Sequence, residues 1–458
     1  MDLQLVTALI YGKIVSKLIS LKGGGGTAAP GYYALKLEKD LVKKLNRKNN
    51  LETILIAGTN GKTTMTYLLE TTLTHLGENS AVIGTVNYRI GRNVLPSKNT
   101  TPGLVELHEL YSRMVEENVN YCLMEVSSHA LDQGRTKGIS FESAIFTNLT
   151  GDHLDYHQTM EKYFDAKSKL FTQLEKTKHA IINVDDSYGL RFKKICPAKI
   201  ITYGLNNPSD VMASEIKLTA HGSNFQIHSP FGNFSITTSL IGRHNVYNIL
   251  AAVSVLGTQG FSSDEIKKGI ERLQNVPGRL EQILAPAPGL DPAESRGGPR
   301  LDPAESRGGQ DFSIFVDYAH TEDALKNVLT NLKAVSRGKI ILVFGCGGDR
   351  DKTKRPKMGK IASQLADVVL ITSDNPRSEN PQDIISQIIE GCENDRFSVV
   401  PDREEAIRKA LSMAKSQDVV LIAGKGHETY QIFKDKTIHF DDREIVRKYL
   451  KNSTVKVS

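Results

Sequence analysis

Short apolar runs alternate with stretches of helical spacing along most of this chain. The first run is "ETILIAG", and the nearby "KTTMTYLLETTLTHLG" has helical spacing and ends in glycine. Further apolar runs are "SAVIGTV", "YCLMEVSS", "SAIFTNL" and "HAIINV", with room for a helix between neighbours. This alternation predicts a mostly parallel α/β sheet whose loops lie at the carboxyl ends of its strands.

A second series of strands begins near residue 312. Its apolar runs are "FSIFVDY", "KIILVFGCGG", "DVVLITSD", "FSVVP" and "DVVLIAGKG", each ending in turn or polar residues. The series predicts a second, doubly wound domain. We therefore divide the chain into a short helical, glycine-rich segment (1–49), a central domain (50–276) and a C-terminal domain (277–458).

A repeat interrupts the C-terminal domain at about residues 285–310. There "LDPAESRGG" occurs twice in succession, and the composition shifts to Pro, Gly, Arg and Asp. Such a composition cannot form a packed core. We expect a solvated loop insertion, with an insert of foreign origin as the alternative, and we assign it no function.

Composition and charge narrow the classes of function. Of the 458 residues, 39% are hydrophobic and 24% charged, and the net charge of +6 is spread along the sequence, so a nucleic-acid partner has no support. The four cysteines lie far apart without a C-x-x-C pair, which argues against a zinc ribbon and fits a reducing cytoplasm. At the N-terminus Lys13 and Lys17 interrupt an amphipathic apolar pattern, so we do not expect membrane contact.

The stretch "IAGTNGKTT" has the composition of a phosphate-binding loop but a shorter spacing. Gly58 and Gly61 are three residues apart, and Ile56 occupies the place of the first glycine in the common pattern G-x-x-x-x-G-K-[ST]. Backbone N–H groups at the start of the next helix can bind phosphate oxygens, while Lys62 supplies positive charge and Thr63 a hydroxyl for Mg²⁺. A simple glycine turn before a helix is the alternative.

Carboxylates and imidazoles follow two later apolar runs. Glu125 closes the run in "LMEVSSHALDQGR", and "FTNLTGDHLDYHQT" places Asp152, His153, Asp155 and His157 after the next strand. Such side chains can hold Mg²⁺ or Mn²⁺ near a nucleotide. Alone, the histidine-rich turn would indicate a solvated loop, and its position at a strand end favours a metal site.

Ten motifs, taken in order, resemble those of the Mur ligases. They are "GTNGKTT", "EVSSHAL", "TNLTGDHLDYH", "YFDAKSKLF", "GRHNVYNILAA", "VPGRLE", "VDYAHT", "GCGGDRDKTKRPKMG", "DNPRSENP" and "AGKGHE". They extend from about residue 51 to 445 and are most similar to the MurE type, which adds the third amino acid of the peptidoglycan stem. The resemblance implies a central P-loop ATPase-like domain with a mostly parallel sheet and a Rossmann-like, doubly wound C-terminal domain.

The same resemblance implies an ATP-dependent amide ligase. In this family ATP phosphorylates a peptide carboxylate, and an incoming amino group attacks the acyl phosphate. The implied partners are a UDP-linked peptide, ATP and a free amino acid, with Mg²⁺ or Mn²⁺ as the metal. Chemistry of this kind depends on positioning and on neutralising charge, which explains motifs rich in cations, metal ligands and glycines.

The resemblance also implies roles for individual residues. The catalytic group is Lys62, Glu125, His153 and Lys167, and Lys167 becomes a CO₂-derived carbamate that joins Thr63, Glu125 and His153 on the metal. A buried lysine has a lowered pKa and can capture CO₂, whereas without its motif Lys167 would be taken for a surface lysine. The positions that match ATP contacts are Gly58, Thr59, Asn60, Gly61, Lys62, Thr63, Thr64, Asn245, Asn248, Arg279, Asp317, His320, Arg350 and Lys354.

Two further groups match substrate positions. Those that match contacts with the UDP-linked peptide are Thr100, Thr101, Ser127, Gln133 and Arg135. Those that match contacts with the free amino acid are Arg355, Asp374, Asn375, Arg377, Gly424 and Glu428. In enzymes that add meso-diaminopimelate, an arginine at the Arg377 position pairs with a second carboxylate, which lysine lacks, and an arginine fork suits that pairing.

The N-terminal part departs from the bacterial pattern. Only about 50 residues precede the phosphate loop, too few for the usual domain that holds the uridine end. The segment "GGGGTAAPG" is similar to MurT-type and archaeal pseudomurein peptide ligases, although the cysteine-rich zinc ribbon of the MurT type is missing. An archaeal pseudomurein ligase that adds another amino acid is therefore the alternative, followed by a folylpolyglutamate synthase and a P-loop protein without ligase activity.

Overall fold

The computed structural model describes residues 51–284 and 312–454. The predicted segment 1–49 and the predicted insertion at about 285–310 lie outside these ranges. The chain divides into two compact units. The first holds the described residues up to Ile216, Asn224–Thr238 and His244–Leu273, and the second holds Lys217–Ser223, Ser239–Arg243 and the described residues from Gln274. No helix within the described ranges is long and apolar enough to cross a membrane.

An eleven-stranded sheet dominates the first unit. Its strands are β1 (Glu52–Ala57), β2 (Ser80–Ile83), β3 (Asn87–Ile90), β4 (Asn93–Pro96), β5 (Tyr121–Val126), β6 (Ser143–Phe146), β7 (His179–Asn183), β8 (Lys199–Gly204), β9 (Val211–Thr219), β10 (Gly222–His228) and β11 (Phe234–Thr238). Their order is β11-β10-β9-β8-β7-β6-β1-β5-β2-β3-β4. Neighbours from β9 to β2 run parallel, and the β2-β3-β4 end is antiparallel, so the prediction of a mostly parallel sheet is confirmed.

Strand β1 lies inside the sheet because its apolar residues are covered on both faces. Ile54, Leu55 and Ile56 have no exposed surface, and the strand pairs with β5 on one side and β6 on the other. A strand that is buried on both faces is typically a continuous apolar run, as in "ETILIA". In this register Ile56 is opposite Glu125. The carboxyl ends of β1 and β5 therefore bring the phosphate loop next to a carboxylate.

Helices connect these strands. They are α1 (Lys62–His75), α2 (Leu104–Glu116), α3 (Ser128–Asp132), α4 (Leu154–His157), α5 (Met160–Thr172), α6 (Gly189–Ile195), α7 (Arg243–Thr258) and α8 (Ser263–Ile270). Helix α8 begins with a capping box, in which Ser262 and Glu265 each bond the other's backbone N–H. Thr159 caps the start of helix α5, and its hydroxyl accepts the N–H of Lys162. Each of these caps satisfies backbone donors that a helix start leaves unpaired.

A six-stranded sheet organises the second unit. Its strands are β12 (Glu281–Gln282), β13 (Ser313–Asp317), β14 (Ile340–Phe344), β15 (Val368–Ile371), β16 (Phe397–Val399) and β17 (Val419–Ala423), and a separate hairpin comprises β18 (Tyr430–Ile432) and β19 (Thr437–His439). The strand order is β12-β13-β17-β14-β15-β16, parallel except for β12. The helices are α9 (Glu322–Val335), α10 (Lys354–Leu365), α11 (Pro381–Ile389), α12 (Arg403–Met413) and α13 (Asp442–Thr454).

Alternate residues of these parallel strands face two separate apolar cores. On β14, Leu342 and Phe344 join the core that contains the buried side chains of α9, α10 and α11. The intervening Ile341 and Val343 join the core that contains the buried residues of α12. Because successive strand side chains point to opposite faces, helices cover both sides of this sheet. The predicted doubly wound architecture is confirmed.

Candidate functional site

The residues that follow β6 hold the phosphate loop in place. The Thr59 N–H donates to the Asn148 carbonyl and the Asn60 N–H donates to Asn148 Oδ1, both at 2.9 Å. Thr147 Oγ1 donates to the Asn60 carbonyl at 2.6 Å. A Cβ on Gly58 would lie 1.8 Å from Thr147 Oγ1, so only glycine fits there. Sequence interpretation missed Asn148, which uses one of the N–H groups assigned to phosphate.

The side-chain nitrogens of two lysines meet at one carbonyl of this loop. Lys62 Nζ donates to Gly58 O (2.9 Å) and to Thr59 O (2.8 Å). Lys167 Nζ, on α5, donates to the same Gly58 O at 2.9 Å. Lys167 is 1% exposed, and its burial, reinforced by the charge of Lys62, lowers its pKa well below the ordinary value. The two predicted catalytic lysines therefore lie together.

Glu125 lies near the carboxyl end of β5, among hydroxyl groups. Thr63 Oγ1 (3.1 Å) and Thr85 Oγ1 (2.9 Å) both donate to Glu125 Oε2, and the Thr85 N–H donates to Oε1 (3.1 Å). Thr85 Oγ1 also contacts Thr100 Oγ1 at 3.0 Å. The structure thus brings together Thr63 and Glu125, two of the predicted metal ligands. Thr85 was missed because no motif singles it out.

His153 directly precedes α4 and has a left-handed backbone (φ 56°). Its Nε2 lies 3.4 Å from Asp152 Oδ2, and its ring centroid lies 4.8 Å from that of His129. Burial lowers the pKa of His153 to about 4, although Asp152 acts in the opposite direction. The imidazole is therefore neutral near pH 7, which is the form that binds metals.

The other groups of this turn do not build a complete protein site for a metal. His157 Nε2 lies 2.9 Å from Ser128 Oγ, and its ring stacks on Tyr163 with centroids 5.2 Å apart. These contacts pack His157 against α3 and α5. Within residues 51–284 and 312–454, no group of three or more His, Cys, Asp or Glu side chains could hold a metal ion.

The residues predicted to contact the UDP-linked peptide form one connected group. Thr101 Oγ1 donates to the Glu125 carbonyl (2.9 Å) and accepts the Ser127 N–H (3.0 Å). Arg135 Nη1 donates to the Thr101 carbonyl (2.9 Å), and Arg135 Nε donates to Gln133 Oε1 (3.0 Å). Through Thr101 this group is joined to the end of β5, next to Glu125.

The asparagines predicted to contact adenine approach the phosphate loop from α7. Both are buried, and Asn248 Nδ2 donates to Asn245 Oδ1 at 3.0 Å. A Cβ on Gly61 would lie 2.6 Å from Asn248 Oδ1, and Gly61 has a left-handed backbone (φ 89°). Glycine is therefore required at position 61 for both conformation and space. Thr64 is buried within α1.

In the second unit, Asp317 fixes the turn before β12. Its Oδ2 accepts the Leu280 N–H (2.6 Å), and its Oδ1 accepts the Ala319 N–H (2.8 Å). Burial raises the pKa of the Asp317 carboxyl, against the opposing charge of Arg279. The Arg279 guanidinium lies over the ring of Tyr318, 4.6 Å from its centroid. Asp317 thus has a structural role that the motif alone does not reveal.

The remaining predicted nucleotide contacts of this unit lie near its surface. His320 Nδ1 lies 2.8 Å from the Tyr318 carbonyl, and Lys354 Nζ donates to the His320 carbonyl at 2.8 Å. Arg350 is exposed, and its Nη1 donates to the carbonyl of Asp349 at 3.0 Å. These contacts place His320 and Lys354 together.

Four of the residues predicted to contact the amino acid meet where β15 and β17 end, on either side of β14. Asn375 Nδ2 donates to Glu428 Oε2 (2.9 Å), and a Cβ on Gly424 would lie 2.8 Å from Asp374 Oδ2. Lys425, which sequence interpretation missed, is fully buried and donates to Glu428 Oε2 (3.1 Å) and to Asn375 Oδ1 (3.2 Å). Burial raises the pKa of Glu428, and the Lys425 charge opposes that rise.

Arg377 lies beside this group with a left-handed backbone (φ 52°). Its N–H donates to the Ile432 carbonyl (3.0 Å), which ties it to β18, and its Nη1 donates to the Gly348 carbonyl (2.8 Å). A cavity of about 450 Å³ lies between residues 376–381 and the hairpin turn 433–436. Arg377 lines that cavity.

Arg355 is held differently from Arg377. It has no exposed surface, and its Nη1 and Nη2 each donate to one oxygen of Glu379 at 2.9 Å. The Arg355 hydrogen bonds lower the pKa of Glu379 to about 2. The pair connects α10 to the loop that carries Arg377.

Comparisons with known proteins agree with this arrangement. Residues 56–256 match the Mur ligase middle domain, and residues 300–426 match the domain described as "Mur ligase, glutamate ligase domain". Together these matches cover more than half of the chain. The chain belongs to the Mur ligase family. The predicted family, fold and class of enzyme are therefore confirmed, and the chain is an ATP-dependent ligase of the MurE type that uses Mg²⁺.

The Mur ligases most similar to this chain include two bacterial enzymes. The chain is 45% identical over 406 residues to "UDP-N-acetylmuramoyl-L-alanyl-D-glutamate--2,6-diaminopimelate ligase 1" of Clostridium acetobutylicum, covering 89% of this chain and 79% of that protein. It is 45% identical over 401 residues to the corresponding ligase of Bacillus velezensis, covering 86% and 77%. A solved structure of such a ligase is 33% identical, with a TM-score of 0.62 over 93% of this chain and 83% of that one.

Two more distant solved structures share the fold. The structure of a pseudomurein peptide ligase type C from Methanothermus fervidus matches with a TM-score of 0.63, covering 90% of this chain and 80% of that one, but at 18% identity. A folylpolyglutamate synthase of Mycobacterium tuberculosis also matches at 18% identity, with a TM-score of 0.64, over 84% of this chain and 91% of that one. These likenesses concern the fold alone.

A substitution at Gly84 tests whether ligation depends on the exact position of the Glu125 carboxylate. A Cβ there would lie 2.5 Å from Glu125 Oε1. We expect Gly84→Ala to displace the carboxylate and to lower ATP-dependent ligation about 100-fold, since a displacement of about 1 Å in a reacting site can cost that much. Initial rates and thermal unfolding would be measured together.

The matched control is Gly77→Ala, at the far end of α1. Gly77 has a left-handed backbone (φ 83°), yet no atom lies within 4 Å of a Cβ there. This substitution should lower the melting temperature through backbone strain and leave the rate nearly unchanged. Equal losses of rate in the two variants would contradict the assigned role of Gly84.

Proposed function

We propose that this chain adds meso-diaminopimelate to UDP-N-acetylmuramoyl-L-alanyl-D-glutamate. The two bacterial relatives carry that reaction in their names, and each is 45% identical to the chain over most of its length. Such identity favours a murein substrate over a pseudomurein one. We place the reaction in the cytoplasm, where ATP is available and separated thiols stay reduced.

The surroundings of Arg377 are the main support for diaminopimelate, rather than lysine, as the added amino acid. The far end of diaminopimelate has a carboxylate and an ammonium group, whereas lysine has the ammonium alone. Arg377 lines the cavity near β18, and the carboxylates of Asp374 and Glu428 act on the same tyrosine, Tyr430, as the Arg377 charge does. The Arg377 guanidinium, together with the carboxylates of Asp374 and Glu428, suits a group that carries both charges.

The acceptor and nucleotide would bind at the first unit. The donor set tests the fit of Mg²⁺, which binds through one or two carboxylates while phosphates and water complete its coordination. Thr63 and Glu125 supply oxygens 3.1 Å apart, and His153 is a neutral imidazole, so these residues fit. When bound, Mg²⁺ would neutralise charge on the phosphates. The connected group around Thr101 would hold the peptide whose carboxylate is phosphorylated.

Lys62 and Lys167 would have different tasks. Lys62 lies at the start of α1, half-buried, and can turn from the Gly58 and Thr59 carbonyls toward phosphate oxygens. Lys167 is sealed from solvent, and its lowered pKa favours the neutral amine that reacts with CO₂. We propose that Lys167 forms a carbamate and so becomes an anionic ligand for the metal.

Residues of the second unit would complete the reaction. We propose that Arg279, His320, Arg350 and Lys354 contact the nucleotide, while Asp317 holds the turn that carries Arg279. Arg355 would act through Glu379, since its guanidinium is buried and bonded to that carboxylate. Exclusion of water from the acyl phosphate would protect it from hydrolysis.

The decisive experiment is a panel of amino acids. Phosphate release from ATP would be measured with the UDP-linked dipeptide and, in turn, diaminopimelate, lysine, alanine or glutamate. We expect release to depend on diaminopimelate, with lysine at least about 100-fold poorer in kcat/KM, because a site built for a charged group rejects an analogue that lacks it. Release that never depends on an amino acid would refute ligation. A preference for lysine, alanine or glutamate, or for a pseudomurein precursor, would refute the proposed substrates but not the ligase.

Arg377→Met tests the assigned carboxylate contact. We expect the KM for diaminopimelate to rise about 100-fold, since hydrogen bonds to charged groups contribute roughly 1.5–3 kcal/mol each. The KM for lysine should change little, because lysine has no distal carboxylate. Arg396→Met, at an exposed arginine before β16, is the matched control and should leave both constants unchanged. Equal effects on both amino acids would contradict the contact.

A further inference from the structure

A fully buried lysine joins three segments at the amino-acid site. Lys425 Nζ donates to Glu428 Oε2 (3.1 Å) and to Asn375 Oδ1 (3.2 Å), and Asn375 Nδ2 donates to the same Glu428 oxygen (2.9 Å). Asn375 Oδ1 also accepts the Ile432 N–H at 3.0 Å. The loop after β15, the turn after β17 and strand β18 are thereby held together.

We propose that Lys425 is a positioning residue that sets the orientation and charge of Glu428 for recognition of the amino acid's ammonium group. This inference rests on the function proposed above. Lys425 has no exposed surface, so it cannot itself be a solvent-facing contact and must act through its two partners. Its ammonium also lies over the ring of Tyr430, 5.6 Å from the centroid.

The hydrogen bonds leave one carboxylate oxygen of Glu428, Oε1, available to a ligand. Both Asn375 and Lys425 bond Oε2, and no residue of the described ranges donates to Oε1. The Glu428 side chain is 14% exposed, so the carboxylate is reachable. A carboxylate that is fixed through one oxygen and open at the other is arranged to accept one more donor, such as an ammonium group.

Lys425 also favours the ionised form of the Glu428 carboxylate. Burial and the neighbouring Asp374 raise the pKa of Glu428, and Lys425 opposes that rise. Among the residues that the structure describes, Tyr318, Tyr430 and Arg403 also interact electrostatically with Glu428. Arg403 already binds both oxygens of buried Asp442 at 2.8 Å. Lys425 is thus the cation hydrogen-bonded to Glu428.

Lys425→Met tests the proposal, with diaminopimelate as the probe. Methionine keeps much of the apolar stem but removes the charge. We expect the KM for diaminopimelate to rise about 10- to 100-fold, the loss that a charged hydrogen bond of roughly 1.5–3 kcal/mol implies, with the KM for ATP unchanged. Because Glu428 would then ionise at higher pH, the rise in KM should be larger in acid than in alkaline buffer.

Two further variants separate positioning from folding. Lys425→Arg retains the charge and should recover most of the diaminopimelate affinity. When Glu428 is already replaced by Gln, adding Lys425→Met should raise the KM for diaminopimelate only slightly further, because the partner of Lys425 is already neutral. Lys409→Met, at an exposed lysine of α12, should behave as the parent protein. Thermal unfolding would be recorded for each variant.

The outcomes separate the role proposed for Lys425 from the proposed ligation of diaminopimelate. If the unmodified protein releases phosphate with a different amino acid, that amino acid becomes the probe and the role of Lys425 is tested with it. A Lys425→Met protein that is folded and has an unchanged amino-acid KM and pH profile overturns the positioning role. So does a loss of the same size in the Glu428→Gln background.

Discussion

Replacing Lys167 by alanine is expected to lower the rate of ligation by about 10²–10³-fold, the loss typical of removing one group that stabilises charge in a reacting site. The proposed carbamate would be lost with the amine. Acetate or formate, which carry a similar anionic group, should restore part of the rate, because the alanine leaves space in a buried site. The measurement is phosphate release with and without added carboxylate.

Lys162→Ala is the matched control for this result. Lys162 lies on the same helix, α5, but its side chain is exposed and donates to Gln158. The Lys162→Ala protein should ligate at the parent rate, and acetate should not increase that rate. A Lys167→Ala protein that is folded and shows no recovery at any carboxylate concentration would count against the carbamate, while leaving the ligase assignment intact.

Lys62→Met is expected to have the other large effect. In enzymes that transfer phosphoryl groups, a single cation that stabilises the transferred group contributes about 10³–10⁵-fold to kcat. We expect kcat to fall about 10³-fold and the KM for ATP to rise, since Lys62 lies where the phosphate loop meets α1. Binding of ADP and steady-state rates would separate the two effects.

Lys62→Arg keeps the charge and provides the comparison. It should retain more rate than Lys62→Met, though less than the parent protein, because arginine is longer and planar. If both variants keep activity within tenfold of the parent, the phosphate contact would have to be assigned to another group. The nearby Lys167 would then be the first residue to examine, since its Nζ donates to the same Gly58 carbonyl.

The sequence was sufficient to predict the fold, and it placed Thr63 and Glu125 at neighbouring strand ends, where the structure has them in contact. Buried strands such as β1 appear as continuous apolar runs, and parallel strands carry their loops at one edge. Glu125, His153 and the phosphate loop could therefore be placed near one another before any coordinates. Their motifs are local, so residue type and spacing carry the information.

Contacts between distant segments could not be predicted in this way. Thr85 lies 40 residues from Glu125 in the chain, Asn148 lies 88 from Asn60, and Lys425 lies 50 from Asn375. None of these partners differs in type from an ordinary surface residue. Similarly, the motif indicates that Arg355 matters but not that its guanidinium is buried against Glu379. Such pairings depend on the packing of helices and strands rather than on local pattern.

The two-sided sheet of the second unit also governs how this chain can change during evolution. One residue gained or lost within β14 would exchange Leu342 and Phe344 with Ile341 and Val343 between the two cores, disturbing both at once. Length variation is therefore confined to connections, where lengthening costs little entropy. The duplicated "LDPAESRGG" occurs between β12 and β13, a place where added length leaves the alternation of each strand unaltered.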